Sequence, residues 1–527
     1  MKISKKIIPI ACLVLFVAAA VFVLMDHGKT EEPEASDICI WYPSGYELLH
    51  KQTLNDVEVI RQIEEKLDVP LYFTGTSGDL DSAFSVVMGD LEGTDAVFYR
   101  FDAGQLRSSY ENGQILDYRE YLDRMPNLSR LFEENPLLYQ YACVDGHCLL
   151  FPSTLENAYE DVLLAVRSDW KEQAGYTWGG VYAWSLAELE QMFLKQKLLF
   201  EEKRLAPMDE YFVGLSSYNG FIEHLLPLYK TSVGLYWNQD RDGLIYGPST
   251  EEYRRFLTDM KRMYQEGLLD SHIYDSSDTN FEKYLLNSTS SAVLATSGQI
   301  EKLEGYAAEN GDSLPLEYIN LYSMAGEEAV LYDAKGRKDR VLEFGFVINS
   351  DIGEEKLEKL LRFIDYLYSD EGMEYTNWGE PGRHYEEQDG LRVYSPKLLK
   401  DGEYYGISMA PYVKQDLLRT DRSVNLNMSS EKSRKCILLR SYEADRSFTE
   451  PKGYYSEEGA FSRSDLKTAL ESFTEETSMN FIFQSIDPSD DLQWQEYLDA
   501  LYGLGLEQYL DMELQASERM EAVTYEK

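Results

Sequence analysis

Apolar residues along this chain recur with two different spacings, and the spacings alternate. Short, nearly continuous apolar runs at 37–42, 69–74, 95–99, 162–166, 291–296 and 344–348 predict strands. Between them apolar side chains return every three or four residues. Leu54, Val57, Ile60, Ile63 and Leu67 form one such stripe, opened by Thr53 with Asp56 three residues on. Tyr253, Phe256, Leu257, Met260, Met263 and Tyr264 form a second, capped by Thr250, and Leu357, Leu360, Leu361, Ile364 and Leu367 a third. A further helix is expected over 80–88. Strands alternating with amphipathic helices predict an α/β protein whose mostly parallel sheets are covered on both faces. Ligands of such sheets bind beyond the C-terminal ends of the strands. Trp41 and Tyr42 stand at one of those ends, and Tyr99, Arg100 and Phe101 at another. The last 140 or so residues mix loops and helices and finish in an acidic helix around 492–512.

One stretch fits neither period. Lys2, Lys5 and Lys6 precede an uncharged apolar run over 7–25, and polar, acidic sequence starts at Asp26. As a helix the run is roughly 28 Å long, close to the ~30 Å core of a bilayer. The lysines would stay cytoplasmic and place everything after Asp26 outside the cell. The run is longer than the apolar core of a cleaved signal peptide, so an uncleaved N-terminal membrane helix is favoured. The alternative is cleavage after the small residues Ala18-Ala19-Ala20, with secretion. Cys12 sits too early in the run for a lipid-modified cysteine. Residues 29–36 read as a short tether.

Charge narrows the partners. The chain carries 93 acidic against 50 basic residues, for a net charge of −43. That surface repels phosphate backbones and anionic headgroups, which argues against nucleic acid. With 40 Tyr, 22 Phe and 7 Trp, it holds more aromatic side chains than a core needs. Tyr and Trp stack on flat ligand faces while offering a polar tip.

Five cysteines are too few for a disulfide scaffold. In Cys143-Val144-Asp145-Gly146-His147-Cys148, however, Asp-Gly at the centre of a two-residue hairpin sets the two cysteines opposite each other, within bridging distance. Geometry permits this bond without compelling it. Cys39 and Cys436 read as buried thiols. The stretch from Asn238 to Gly243 opens like a calcium loop, but position 12 is Ser249 rather than Glu, and Asp242-Gly243 reads as a turn, so no metal site is assigned. No HExxH element, nucleophile elbow or phosphate loop is present, and no cofactor is implied.

Several short motifs share an order. Met88-Gly89-Asp90-Leu91 precedes Asp95-Ala96-Val97, and Gly113-Gln114-Ile115-Leu116-Asp117 is followed by Tyr121 and Pro126-Asn127-Leu128. Asp145-Gly146 comes before Leu149-Leu150-Phe151-Pro152, and Asp169-Trp170 follows a strand. Further on stand Tyr264-Gln265-Glu266-Gly267-Leu268-Leu269-Asp270, Tyr368-Ser369-Asp370-Glu371-Gly372 and Asn377-Trp378-Gly379-Glu380-Pro381-Gly382-Arg383-His384-Tyr385. In this order they resemble the family 1 extracellular solute-binding proteins, in particular the large Gram-positive members serving sugar and oligosaccharide ABC transporters. The resemblance runs from Asp37 onward. It departs from the family in lacking the lipoprotein cysteine, in Glu92-Gly93-Thr94 where the family has Pro before Asp, and in having no Asp/Asn/Gly-rich loop over 196–208.

The resemblance implies a two-lobed periplasmic-binding-protein-like fold (type II) with a hinge and a C-terminal helical region. Residues 1–36 would be anchor and tether, 37–155 with about 320–375 the first lobe, and 156–319 with about 376–527 the second. The lobes would close on a sugar, with rings stacking on aromatic side chains and hydroxyls meeting planar polar groups. Trp41, Tyr42, Tyr99 and Arg100 would line the first lobe; Tyr236, Trp237, Ser297, Gln299, Trp378, Glu380 and Arg383 the second lobe and hinge. Glu380 and Arg383 are equally suited to pair with each other. The expected function is a monomeric extracellular receptor that captures a carbohydrate, an oligosaccharide by preference, and hands it to ABC transporter permease subunits. A glycan sensor without transport is the alternative, and a glycan-cleaving enzyme a more distant third. Arg100 and Arg383 would also serve a carboxylate, which keeps a uronate or a peptide in view.

Overall fold

The computed structural model describes residues 33–525 except 44–52, 76–78, 158–161, 178–184, 208, 219–220, 239–241, 274–279, 320–339, 389, 401–404, 429, 442–452, 454 and 456. The apolar run at 7–25 lies outside the described residues. Among those described, no helix is long and apolar enough to cross a membrane.

The chain builds one sheet, leaves it for a second, and returns. β1 (Ile38–Trp41), β2 (Leu71–Thr74) and β3 (Ala96–Arg100) are parallel, with β1 between the other two. The hairpin β4 (Cys143–Val144) and β5 (His147–Cys148) leads into β6 (Phe151–Glu156) of the same sheet. The chain then crosses to β7 (Val162–Arg167) and β8 (Val213–Ser217), the hairpin β9 (Leu235–Trp237) and β10 (Leu244–Tyr246), β11 (Ser290–Thr296) and β12 (Leu316–Ile319). It comes back as β13 (Arg340–Ile348), makes the hairpin β14 (Tyr385–Gln388) and β15 (Leu391–Tyr394), and closes the first sheet with β16 (Arg419–Asp421). The first sheet runs β16-β6-β13-β3-β1-β2 and the second β12-β7-β11-β8.

Both sheets are mixed, where the sequence predicted mostly parallel ones. β13 is antiparallel to β3 and to β6, and β7 is antiparallel to β11 and to β12. β7 and β13 are the strands by which the chain passes from one sheet to the other, so neither directly follows a strand of its own sheet. Within the segment 376–421, which the sequence reading gives to the second lobe, β16 pairs with β6 of the first sheet.

Strands covered on both faces read as continuous apolar runs, and these do. In the first lobe Ile38, Ile40, Tyr42 and Phe98 pack under the helices Glu58–Leu67 and Glu354–Tyr368. On the other face Trp41, Val97 and Tyr99 meet Phe84 and Leu106 from the helices Leu80–Gly89 and Ala103–Glu111. The second lobe repeats the plan around β7, every residue of which is buried.

The C-terminal helices Glu457–Phe483, Asp491–Gly503 and Leu506–Glu521 bury Leu470, Phe481, Trp494, Leu501 and Tyr509 in the second lobe's core. Lys261 fixes them there: its ammonium donates to the carbonyls of Phe481 (3.0 Å), Gln484 (2.9 Å) and Ile486 (2.7 Å) at the end of the first of these helices. A cation at a helix C-terminus satisfies carbonyls that have no intrahelical partner. The last turn reaches back to the first lobe, where Met520 is buried and Tyr525 packs against Phe132 and Tyr139.

Candidate functional site

At the C-terminal end of β3 the chain turns into the helix Ala103–Glu111. Asp102 caps it, accepting the Gln105 N–H at 2.8 Å, while Gln105 returns the favour to the Asp102 N–H at 3.0 Å. In front of this turn lies a cavity of about 300 Å³, at the lower end of the range for small-molecule sites. Arg100, Phe101 and Asp102 form one wall and Glu343 of β13 stands beside them. Gly453, Tyr455, Arg463 and Met520 of the C-terminal region close the opposite side. Gly453 is needed there, because a Cβ would lie 2.5 Å from the backbone of Ala516. The cavity therefore joins first-lobe strand ends to helices packed on the second lobe.

Its charged groups are paired within the chain. Arg100 reaches Glu343 at 3.3 Å, and Arg463 donates to Glu513 at 2.6 Å. Glu513 is fully buried and also accepts the Tyr455 hydroxyl, while the Arg463 guanidinium lies 4.8 Å from the Tyr455 ring centre. Burial first, and then the Glu513 charge, push the Tyr455 phenol well above its ordinary value, so it stays a neutral donor. Phe344 stands opposite Arg100 in register and is 37% exposed, its ring against Phe98 and Tyr99.

The β4–β5 hairpin supports the cavity from behind. Cys143 and Cys148 are disulfide-bonded and directly opposed. Asp145 and Gly146 both have positive φ, as the two-residue turn requires. Val144 lines the cavity, and Arg107 links Asp145 to the Tyr455 carbonyl, 3.4 Å away.

Of the binding residues expected from sequence, the structure brings Arg100 to this cavity. Trp41, Tyr42 and Tyr99 sit at strand ends, but their rings turn inward. Trp41 packs on Phe84 and Tyr99, Tyr42 stacks on Phe98 at 4.6 Å and donates to the Asp416 carbonyl, and Tyr99 donates to Asp81 at 2.8 Å. Tyr236 and Trp237 are buried in the β9–β10 hairpin of the second lobe. Ser297 is buried, and the Gln299 side-chain oxygen accepts from the Thr296 N–H in a capping box.

Trp378 is a buttress for the crossing between lobes and is only 1% exposed. Its indole N–H donates to Asp421 of β16 at 2.8 Å, and Asp421 also accepts from Asn157, just past β6. Beside it Arg419 makes a bidentate pair with Glu156 at 2.6 and 2.8 Å and reaches Asp370 at 2.9 Å, which holds the Asp370 carboxyl below its usual range. Glu380 and Arg383 pair with each other at 3.4 Å and gather around Glu58 on the outer side of the first lobe. Phe344, Glu343, Tyr455 and Arg463 were not singled out from sequence. Phe344 carried a signal, an aromatic at the start of the apolar run 344–348.

Among the described residues no group of three or more His, Cys, Asp or Glu side chains could hold a metal ion. Asn238 instead bonds Asp242 across the base of its hairpin, donating at 2.6 Å and accepting at 3.1 Å.

No protein-family model matches the chain, and no curated protein matches it in sequence. Its architecture, however, is that of the solute-binding proteins of ABC transporters. Three solved structures illustrate the likeness. The alginate-binding protein AlgQ2 aligns with a TM-score of 0.62 and 14% identity over 92% of this chain and 100% of its own. An HMO-binding, ABC-transporter-associated solute-binding protein from Bifidobacterium longum infantis gives 0.64 and 13% over 92% and 99%. The S. pneumoniae substrate-binding protein FusA in complex with kestose gives 0.59 and 13% over the same shares. At identities this low the likeness is one of fold.

Proposed function

We propose that this protein is an extracellular solute-binding protein that captures an oligosaccharide between its two lobes and delivers it to an ABC importer, without chemical turnover. The observation that carries the reading is the coincidence of fold and site. A fold shared over 92% of the chain with structures named for alginate, HMO and kestose binding places a cavity where such sheets bind ligands, at the C-terminal end of β3. Its lining suits a sugar: Arg100 and Glu343 offer planar donors and acceptors, and Tyr455 an aromatic ring with a polar tip. Glu156, Asn157, Arg419 and Asp421 gather at the crossings as a hinge about which the lobes would close. In this reading the apolar run at 7–25 holds the receptor to the outer face of the membrane, and the protein works as a monomer.

The test is a thermal-shift screen of the full chain in detergent micelles against oligosaccharides, with chromatography of the recovered glycan. At a ligand concentration one hundred times Kd, stability rises by about 2.7 kcal/mol. A bound glycan recovered intact supports the reading. Cleaved product, or no shift with any glycan, contradicts it.

A further inference from the structure

We propose that the cavity selects uncharged glycans and that Glu343 is the residue that enforces the choice; the inference rests on the carbohydrate-binding reading above. A uronate needs a cation whose charge is not already balanced, and the cavity's cations each face a carboxylate of the chain. Arg463 lies against Glu513, a carboxylate fully buried in the protein that cannot swing away into solvent. Arg107, just behind the wall, is held by Asp145. Arg100 is the open one, its side chain 68% exposed, and Glu343 faces it at 3.3 Å.

The lining thus carries two guanidinium groups, Arg100 and Arg463, against two carboxylates, Asp102 and Glu343, with Glu513 as a third just behind. A ligand carboxylate arriving at Arg100 must displace Glu343 and then sit among like charges, in a protein whose net charge is −43. A sugar hydroxyl meets no such obstacle. A guanidinium has five N–H donors, and the Arg100–Glu343 contact leaves several of them free for neutral acceptors. Glu343 likewise has lone pairs left for hydroxyl donors. Pairing removes the charge that a uronate would seek while keeping the hydrogen-bonding capacity that a neutral glycan uses.

The experiment titrates the full chain in detergent micelles, at low salt, with neutral oligosaccharides (gluco-, manno-, fructo- and lacto-series) and with oligoguluronates and oligogalacturonates of matched length. Wild type is expected to bind at least one neutral probe and every uronate roughly tenfold more weakly. Glu343→Gln frees Arg100 and should improve uronate binding roughly two- to fivefold, a gain that high salt erases. The double variant Glu343→Gln, Arg100→Gln should lose that gain. Both sites are exposed, and unchanged melting temperatures without ligand confirm that each variant is folded. Uronates binding wild type as tightly as any neutral probe would overturn the charge selection and leave the carbohydrate reading intact. An unchanged ratio in Glu343→Gln overturns the role of that residue. Failure of every probe overturns the carbohydrate reading and this inference with it.

Discussion

Trp378 and His384 are six residues apart, and each is the kind of side chain that suggests a ligand contact. Both are instead enclosed. The Trp378 N–H is the partner of Asp421, so Trp378→Phe leaves a buried carboxylate oxygen short of a donor at the crossing between lobes. The expected loss is about 1–3 kcal/mol in urea unfolding, with glycan affinity little changed. Lost affinity at unaltered stability would instead place Trp378 in the ligand site. His384 is buried, and its Nδ1 accepts the Glu380 N–H at 2.9 Å. Burial lowers its pKa, the Arg383 charge adds to that, and Glu58 and Glu380 oppose it. The unfolded chain has an ordinary histidine, near 6.5. Between the lowered folded value and about 6.5 the unfolded state binds more protons, so stability is full above that window and declines as the pH falls through it. His384→Asn keeps an acceptor for the Glu380 N–H but does not titrate. A variant whose stability falls as steeply as wild type between pH 7 and 5 would show that His384 is not responsible.

Elements show how far the sequence could be read. The strands, the helical stripes and the Asp145-Gly146 hairpin with its disulfide follow from local rules of spacing and turn chemistry, and the structure contains them. The facing of the aromatics does not. Trp41 ends a strand beside a turn whether its ring meets a ligand or Phe84, and the helix Leu80–Gly89 decides which. Tyr455, Arg463 and Glu513 all lie more than 350 residues from Arg100, and no local pattern announces that they meet. The attachment of the C-terminal helices was equally hidden, since it depends on Lys261 finding three carbonyls at the end of the helix Glu457–Phe483. Lys261→Met keeps the aliphatic stem and removes the donors. It should cost roughly 1.5–3 kcal/mol and raise amide exchange selectively in the three C-terminal helices. Exchange rising evenly over both lobes would mean that these helices are not a separable unit.

At the scale of the molecule, two mixed sheets are joined by crossings between β6 and β7 and between β12 and β13, and the C-terminal helices span from one lobe's core to the other's. That arrangement suits a trap: a site assembled from both sides of a hinge binds by closing, and releases when the lobes part. In the proposed reading, specificity falls to the paired groups around Arg100 and not to the net charge of −43. The most direct test of the account is isothermal titration of the full chain with neutral oligosaccharides. Saturable one-to-one binding, with a negative heat-capacity change from apolar burial and the glycan recovered uncleaved, is the expected result. Absence of heat across the panel, or hydrolysed glycan at the end of the titration, would contradict it.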